Sequence, residues 1–568
     1  MQISKKYTYN FLNSLRNWFT QRDNLTIFTI LIIALCLRIW GLGFGLPHRY
    51  HLDEPPSILA ALDLGRGNFQ PTYPLLSPNI QEVLYLFLFS LLFLWYFLTG
   101  KVTSPGDFAN QYQIDPANMY LLARGLSVAA SLVTIYLLYR LTKQYKNQKT
   151  ALIASIFLTV CFLDVRHAHF AEVYSILSVL AIGTIYSTLN YLQNGRLRVM
   201  IAAGILCGIA IGLRFSMLPL AITILFGLYF RIRGKIFEWS TVKIFIALMA
   251  SILGGILIGA PSILVNTYNF VANFSTLIGL AGSQQGLWGY KFSDLPTWQF
   301  YTIILEIAFG LPLVLLTIFG IGKSIYTHAR EDILMLSFPS LYIALLLTAS
   351  TESSAYARYL VPALPFFAFY AADATVTLVG RLTRRLSPRM ATWALSGAMV
   401  LILAIPFYRI LLLDRLWSTP DTRTLAKEWI ENNISGGTKI ANQWNGPPLS
   451  SDSNPESNSS RIYQYDYIDP FTDDEDLYQI KYYQENEYEY IILSSFIYKL
   501  PRVREEENKL RQTFYNALDQ QSYLITEFSP YKGNIEPRFF FEEIWGPITN
   551  LTKYDRPGPT IKIYKINQ

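Results

Sequence analysis

The sequence predicts a polytopic α-helical membrane protein of about eleven spans, with a membrane-associated helix in its first outer loop and a C-terminal soluble α/β domain. Three observations carry that reading. The 568-residue chain is 52% hydrophobic and only 15% charged, with a mean hydropathy of +0.26. Apolar runs of about 20 residues recur, each long enough for a hydrocarbon core of roughly 30 Å. Charge also divides the chain. From Asp414 onward there are 17 Lys and Arg against 24 Asp and Glu, and before it 30 against 16. A membrane part of about +14 is thus joined to a tail of about −7, an asymmetry that suggests different surroundings.

The first span is Leu25–Leu46. The arm before it, 1–24, carries Lys5, Lys6, Arg16 and Arg22, and the long apolar run lacks a small-residue cleavage site. A retained helix with a cytoplasmic arm is expected, not a removed signal peptide. Further spans follow at 119–139, 150–164, 172–192, 199–213, 215–230, 242–264, 300–320, 333–349, 359–379 and 391–413. Together with the first outer loop, 47–118, they make a membrane domain over 25–413. Cys36, Cys161 and Cys207 all lie in apolar runs and suit packing, not a disulfide framework or a zinc site. Tyr and Trp near the span ends read as interface anchors.

Basic residues cluster in the N-terminal arm, Arg140–Lys149, Arg196–Arg198, Arg231–Lys243, Lys323–Arg330 and Arg381–Arg389. These are alternate loops only if the apolar stretch Ile80–Leu98 does not cross. They hold roughly twenty basic residues against about seven in the intervening loops, so they are expected in the cytoplasm. Ile80–Leu98 is therefore expected in or against the membrane, within the outer loop. Nucleic acid has no place in this pattern, because the basic residues sit in short interhelix loops.

That parity puts four chemically rich segments on one outer face: His51–Glu54, Arg166–Glu172, the turn at Arg214, and Glu352–Tyr359. Arg124 lies a few residues into a span, Arg38 in the outer half of the first, and Glu306 about two turns below the outer surface. Ionisable residues at such depth usually line a cavity between helices. In Pro47–Pro56 the carboxylates of Asp53 and Glu54 are adjacent, and Pro55-Pro56 is expected to keep a helix from running through them. The bland alternative is an acidic solvated loop. His167-x-His169 with Asp53 or Glu172 leaves a divalent-metal site open, but hydrogen bonding to a phosphate or sugar hydroxyl is the favoured use. Arg214 and Arg358 also admit a simpler use as interfacial snorkelling residues.

After Leu413 the tail, 414–568, reads as an extracytoplasmic α/β domain. Asp421–Asn432 predicts an amphipathic helix stopped by Gly436-Gly437, and Arg502–Asp519 a second. Thr438–Ala441, Tyr488–Ser494, Tyr523–Phe528 and Thr560–Ile566 predict strands, and Ser450–Ser460 a polar loop. No catalytic motif stands out in it.

Several stretches resemble one family. They are Leu37-Arg38-Ile39-Trp40-Gly41-Leu42, Asp53-Glu54 in a long first outer loop, Arg124-Gly125-Leu126-Ser127, Val165 to Ala171 (VRHAHFA), and Arg358 to Pro365 (RYLVPALP). In order and common side they resemble the C-class (GT-C) membrane glycosyltransferases, in particular the superfamily of protein O-mannosyltransferases and aminoarabinose lipid A transferases. Two departures stand out. Glu172 follows the His-x-x-Phe-Ala run at once, where relatives often place an acid a few residues later. Arg214-Phe215 stands where many have Lys-Tyr.

The resemblance implies an inverting transferase that moves a sugar from a polyprenyl-phosphate donor to a protein, lipid or polysaccharide acceptor outside the membrane. It also implies the division of labour: Asp53 as base and Glu54 orienting it or binding donor. The donor phosphate and sugar would fall to Arg124, Arg166, His167, His169, Glu172, Arg214, Arg358 and Tyr359. A carboxylate that deprotonates the acceptor and arginines that stabilise the departing phosphate meet the needs of such a step. A transporter or flippase of a lipid-linked sugar is the alternative, but no internal repeat or paired broken helix supports it. A scaffold protein with an outer domain would leave the intramembrane charges unexplained.

Overall fold

The computed structural model describes residues 22–69, 78–232, 238–265, 267, 295–349, 355–451, 461–470, 474–502, 504–533 and 536–567. Most of the N-terminal arm, Glu352 to Ser354 and most of the expected polar loop 450–460 lie outside them. Among the described residues, eight helices are long and apolar enough to cross a membrane, or up to ten if each of two bent pairs is one span. The chain is an integral membrane protein. Seven expected spans fall on such helices, and Ile80–Leu98 is the eighth. Two more are short apolar helices, Arg22–Ile39 and Leu197–Leu213.

The remaining two expected spans are broken, so the expected absence of paired broken helices, set against a transporter, does not hold. Gln148–Thr159 and Phe162–Ala168 bend by 59°, so Arg166 and His167 ride on a short helix and not on an open loop. The expected continuous span 300–320 is instead Thr297–Phe309 and Leu311–Thr327, bent by 109°. Gly310 joins them at φ +76°, in the left-handed region that glycine enters freely, and Pro312 opens the second helix. Glu306 precedes this break and pairs with Arg409 at 3.0 Å.

The first span also ends early. Its helix stops at Ile39, and 40–49 form turns. Gly41 has φ +85°, and a Cβ there would stand 2.9 Å from Cβ of Trp417, so only glycine fits both the turn and the contact. Pro55 and Pro56 do not merely interrupt a helix. They occupy the first turn of Glu54–Gly65, where a missing N–H costs nothing, and Asp53 is its N-cap residue.

Close packing holds the bundle where small residues recur every fourth position. Gly204, Gly208 and Gly212 face Ser251, Gly255 and Gly259, and a Cβ on Gly208 would come to 2.1 Å from the carbonyl oxygen of Ile252. Without a hydrophobic drive inside lipid, such backbone approach supplies the packing.

The helix Pro388–Trp417 leads into a five-stranded sheet of order β2-β1-β3-β5-β4. The strands are β1 Lys439–Gln443, β2 Gln464–Ile468, β3 Tyr490–Ser494, β4 Ser522–Phe528 and β5 Ile561–Ile566. β1 pairs parallel with β2 and β3, while β5 runs antiparallel to β3 and β4. Alternation along β3 sends Ile491 and Leu493 to one face and Ile492 to the other. The helix Thr422–Asn433 covers the Ile492 face and Glu505–Gln521 the opposite one. The polar edge strand β2 escaped the sequence reading, because its residues are mostly exposed and show no clean apolar alternation.

Candidate active site

Asp53 and Glu54 stand in opposite surroundings. The Asp53 side chain is 40% exposed and its Oδ2 lies 2.8 Å from Nη1 of Arg358. Glu54 is fully buried. Nε of Arg124 donates to its Oε1 at 2.8 Å, Nη2 donates to its Oε2 at 2.7 Å, and the Ala171 N–H donates to Oε1 at 2.8 Å. Nη1 of Arg124 donates to the carbonyl oxygens of Leu42 and Phe44 at 2.6 and 2.9 Å. All three Arg124 nitrogens are therefore engaged.

Arg358 is held on the cleft side by rings. Its guanidinium carbon lies 4.2 Å from the Tyr356 ring centroid, 4.9 Å from that of Trp545 and 6.0 Å from that of Tyr359. Such faces attract a cation without neutralising it. Tyr359 packs between Tyr356 and Tyr174, and its carbonyl accepts from the Tyr342 hydroxyl at 2.9 Å. Arg214 caps the helix Leu197–Leu213, is exposed, and has its guanidinium carbon 5.8 Å from the Tyr174 ring. It lies close enough to Asp53 to pull that carboxyl down. Burial is the larger influence and raises the Asp53 pKa above its usual 3.8, with Glu172 raising it further against Arg358 and Arg214.

Behind Asp53 runs a buried polar line. Nδ1 of His167 is 2.7 Å from Oε2 of Glu172, and Nη1 of Arg166 is 3.2 Å from Nε2 of His167. Arginine can only donate, so His167 accepts at Nε2 and donates from Nδ1 to the carboxylate. Oε1 of Glu172 faces Nε2 of His51 at 3.7 Å. The His51 ring stacks on Phe170 at 3.9 Å, and among the described residues neither of its nitrogens finds a hydrogen-bond partner. Burial, with Arg124, Arg358 and Arg166 nearby, pulls the His51 pKa well below 6.5.

The sequence-predicted residues thus separate into two sets. Asp53, Glu172, Arg214, Arg358 and Tyr359 cluster together, with His167 bonded to Glu172. Arg124, Arg166 and His169, expected at the donor, are instead committed to protein groups. Nη2 of Arg166 donates to the carbonyl oxygens of Glu542 and Gly546, both at 3.1 Å. His169 lies 2.8 Å from the Val165 carbonyl oxygen and 2.9 Å from that of Trp40. His167 and His169 consequently point to different partners and form no ligand pair. Among the described residues, no group of three or more His, Cys, Asp or Glu is placed to hold a metal ion.

Trp545 and Glu542 were not found from sequence. Both lie in the short helix Phe541–Trp545 of the C-terminal region. Oε1 of Glu542 accepts from the Ala357 N–H at 2.7 Å, next to Arg358. The same region clamps the loop before Asp53: the Tyr50 and Thr424 hydroxyls are 3.0 Å apart, and Arg423 lies 3.8 Å over the Tyr50 ring. A single tryptophan between acidic and glycine residues carries no sequence signal that would have placed it there.

The chain combines a bundle with broken helices, adjacent carboxylates at Asp53 and Glu54, and a C-terminal sheet region. Residues 120–262 match the family model Dolichyl-phosphate-mannose-protein mannosyltransferase. The oligosaccharyltransferase AglB from Archaeoglobus fulgidus, in complex with an inhibitory peptide and a dolichol-phosphate, shares the fold. Its TM-score is 0.52 at 10% identity, over 97% of this chain and 89% of that one. ArnT from Cupriavidus metallidurans in the apo state aligns at 14% identity over 74% and 72% of the chains, with a TM-score of 0.41. The S. cerevisiae Pmt1-Pmt2 complex bound to the sugar donor aligns at 18% over 51% and 38%, with a TM-score of 0.32. Comparison with curated protein sequences finds no match.

Proposed function

We propose that this protein transfers a sugar from a polyprenyl phosphate to an acceptor hydroxyl or amine on the outer side of the cell membrane, with inversion at the anomeric carbon. The observation that carries this reading is the Asp53–Arg358 pair, 2.8 Å apart, with Arg214 beside it. It places one partly exposed carboxylate and two cations at one cleft. Asp53 takes the acceptor proton as the acceptor atom attacks the anomeric carbon. The bond from that carbon to the phosphate oxygen breaks, and its electron pair stays on the phosphate, where Arg358 and Arg214 stabilise the charge. Tyr359 lines the approach, and Glu172, oriented by His167, is the next polar group available to sugar hydroxyls.

Glu54 and Arg124 act as positioning residues in this scheme. Their two-point bond and the Ala171 N–H fix the first turn of Glu54–Gly65, and hence Asp53 at its N-cap. Arg166 and His169 tie neighbouring elements together. A phosphate also competes with Asp53 for Arg358. Donor binding that draws off the guanidinium leaves Asp53 a stronger base, so the donor binds before the acceptor is deprotonated.

Orientation follows the basic loops, with 1–24 cytoplasmic, 25–413 the catalytic membrane domain and 414–568 outside. The packing of Ile80–Leu98 supports its place in the outer loop. Gln81, near one end, donates to the Ala171 carbonyl at 3.4 Å, and Tyr96, near the other, accepts from Asn118 at 2.6 Å. Both partners belong to the Asp53 end of the bundle, and Ser262 at the end of another span donates to the Pro78 carbonyl at 3.1 Å. A helix crossing beside Ala117–Tyr145 would part from Asn118 by its full length.

The reading is tested by mass spectrometry of surface glycans from cells with the protein, without it, and with Asp53→Asn. Loss of one glycan in both deficient strains is expected. An unchanged glycan profile in all three would sink it.

A further inference from the structure

The Phe541–Trp545 turn belongs to the C-terminal region yet reaches the middle of the cleft. Glu542 anchors it twice, through its carboxylate to the Ala357 N–H and through its carbonyl to Arg166. Trp545 is thereby set against Arg358, and its ring meets Tyr356 edge-on at 5.4 Å between centroids. The Trp545 side chain is buried, and its indole nitrogen makes no hydrogen bond of ordinary geometry within the described chain. Arg358, over which the ring is set at 4.9 Å, is itself 2.8 Å from the Asp53 carboxylate, so the indole stands beside the Asp53–Arg358 pair. A buried indole N–H normally has a partner.

We propose that Trp545 is a positioning residue for the transfer step: its ring braces Arg358 from the C-terminal side, and its indole N–H steadies Asp53 when Arg358 turns to the lipid phosphate. This rests on the reading of Asp53 as base and Arg358 as phosphate ligand. Both anions require the same guanidinium, so Asp53 needs a second donor to keep its orientation once phosphate arrives. A neutral N–H supplies direction while depressing basicity less than a cation does. The C-terminal region is then a working wall of the active site.

The test uses the full chain in lipid nanodiscs. Infrared titration follows the protonated carboxyl band that disappears in Asp53→Asn, and undecaprenyl phosphate serves as the binding probe. Trp545→Phe keeps a ring and loses the N–H. Its Asp53 band should persist to higher pH than in the wild type, because a donor favouring the charged form is gone. Its affinity for undecaprenyl phosphate should stay within about twofold, since the ring remains. Trp545→Ala should weaken that affinity about two- to fivefold through loss of the cation–π brace. An Asp53 band that titrates as in the wild type in Trp545→Phe overturns the proposal, and this conservative variant decides the matter even if Trp545→Ala does not fold. Unchanged undecaprenyl phosphate affinity in Arg358→Ala would instead overturn the reading of the site itself.

Discussion

Arg124 binds Glu54 through two parallel hydrogen bonds of 2.8 and 2.7 Å, with both side chains fully buried. One residue earlier, Asp53 is open to the cleft. Adjacent carboxylates that are indistinguishable by type thus differ in availability. A buried carboxylate with three hydrogen bonds already made cannot also meet an acceptor, whereas the exposed one can.

Breaking that buried pair should cost stability before it costs chemistry. Glu54→Gln leaves the Arg124 charge uncompensated, at about 3–5 kcal/mol. A thermal-shift assay in detergent should show a clear fall in Tm, and Glu54→Gln combined with Arg124→Met should recover part of it. A Glu54→Gln variant as stable as the wild type would return Glu54 to a role in the cleft.

Arg358 separates charge from shape. Removing a charge-assisted hydrogen bond of about 1.5–3 kcal/mol, Arg358→Ala should weaken undecaprenyl phosphate binding by roughly 10- to 100-fold. Arg358→Lys should recover only part of this, because lysine lacks the two-nitrogen fork. Equal affinity in all three proteins would make Arg358 an interfacial anchor.

Much of this arrangement was legible in the sequence because it depends on hydrophobic length and on charges that lipid penalises. Most of the long apolar helices and the charged segments 51–54 and 166–172 needed only those rules, whereas RYLVPALP stood out through the family resemblance. What was not legible depended on distant partners. Arg124, Arg166 and His169 have the residue type of a phosphate site, but whether a guanidinium is free depends on which carbonyls and carboxylates fold against it. The 109° break at Gly310 was hidden because both of its helices are apolar, so hydropathy runs straight through it. Trp545 was hidden because nearly two hundred residues separate it from Arg358.

Topology can be checked in a cysteine-free background. Ser435→Cys and Lys101→Cys should react with an impermeant thiol reagent from outside intact cells, and Lys149→Cys only after permeabilisation. Labelling of position 149 from outside, with protection of 435, would invert the chain and remove the shared outer cleft.

Asp53→Asn is the decisive substitution, since asparagine keeps the shape of the side chain and removes its basicity. Loss of a positioned base should slow single-turnover transfer by about 10²–10⁴. Undecaprenyl phosphate should still bind, and more tightly, because Arg358 no longer has an internal carboxylate to satisfy. The wild-type pH profile provides a second reading. Burial raises the Asp53 pKa, and a base works only above its pKa, so activity should fall on the acid side through a value above 3.8. Arg358→Ala removes a charge that lowers this pKa, so the acid limb should move to still higher pH in that variant. A fall in rate with no change in the limb on removing Arg358 would mean that some other group deprotonates the acceptor. Near-normal turnover by Asp53→Asn would lead to the same conclusion directly.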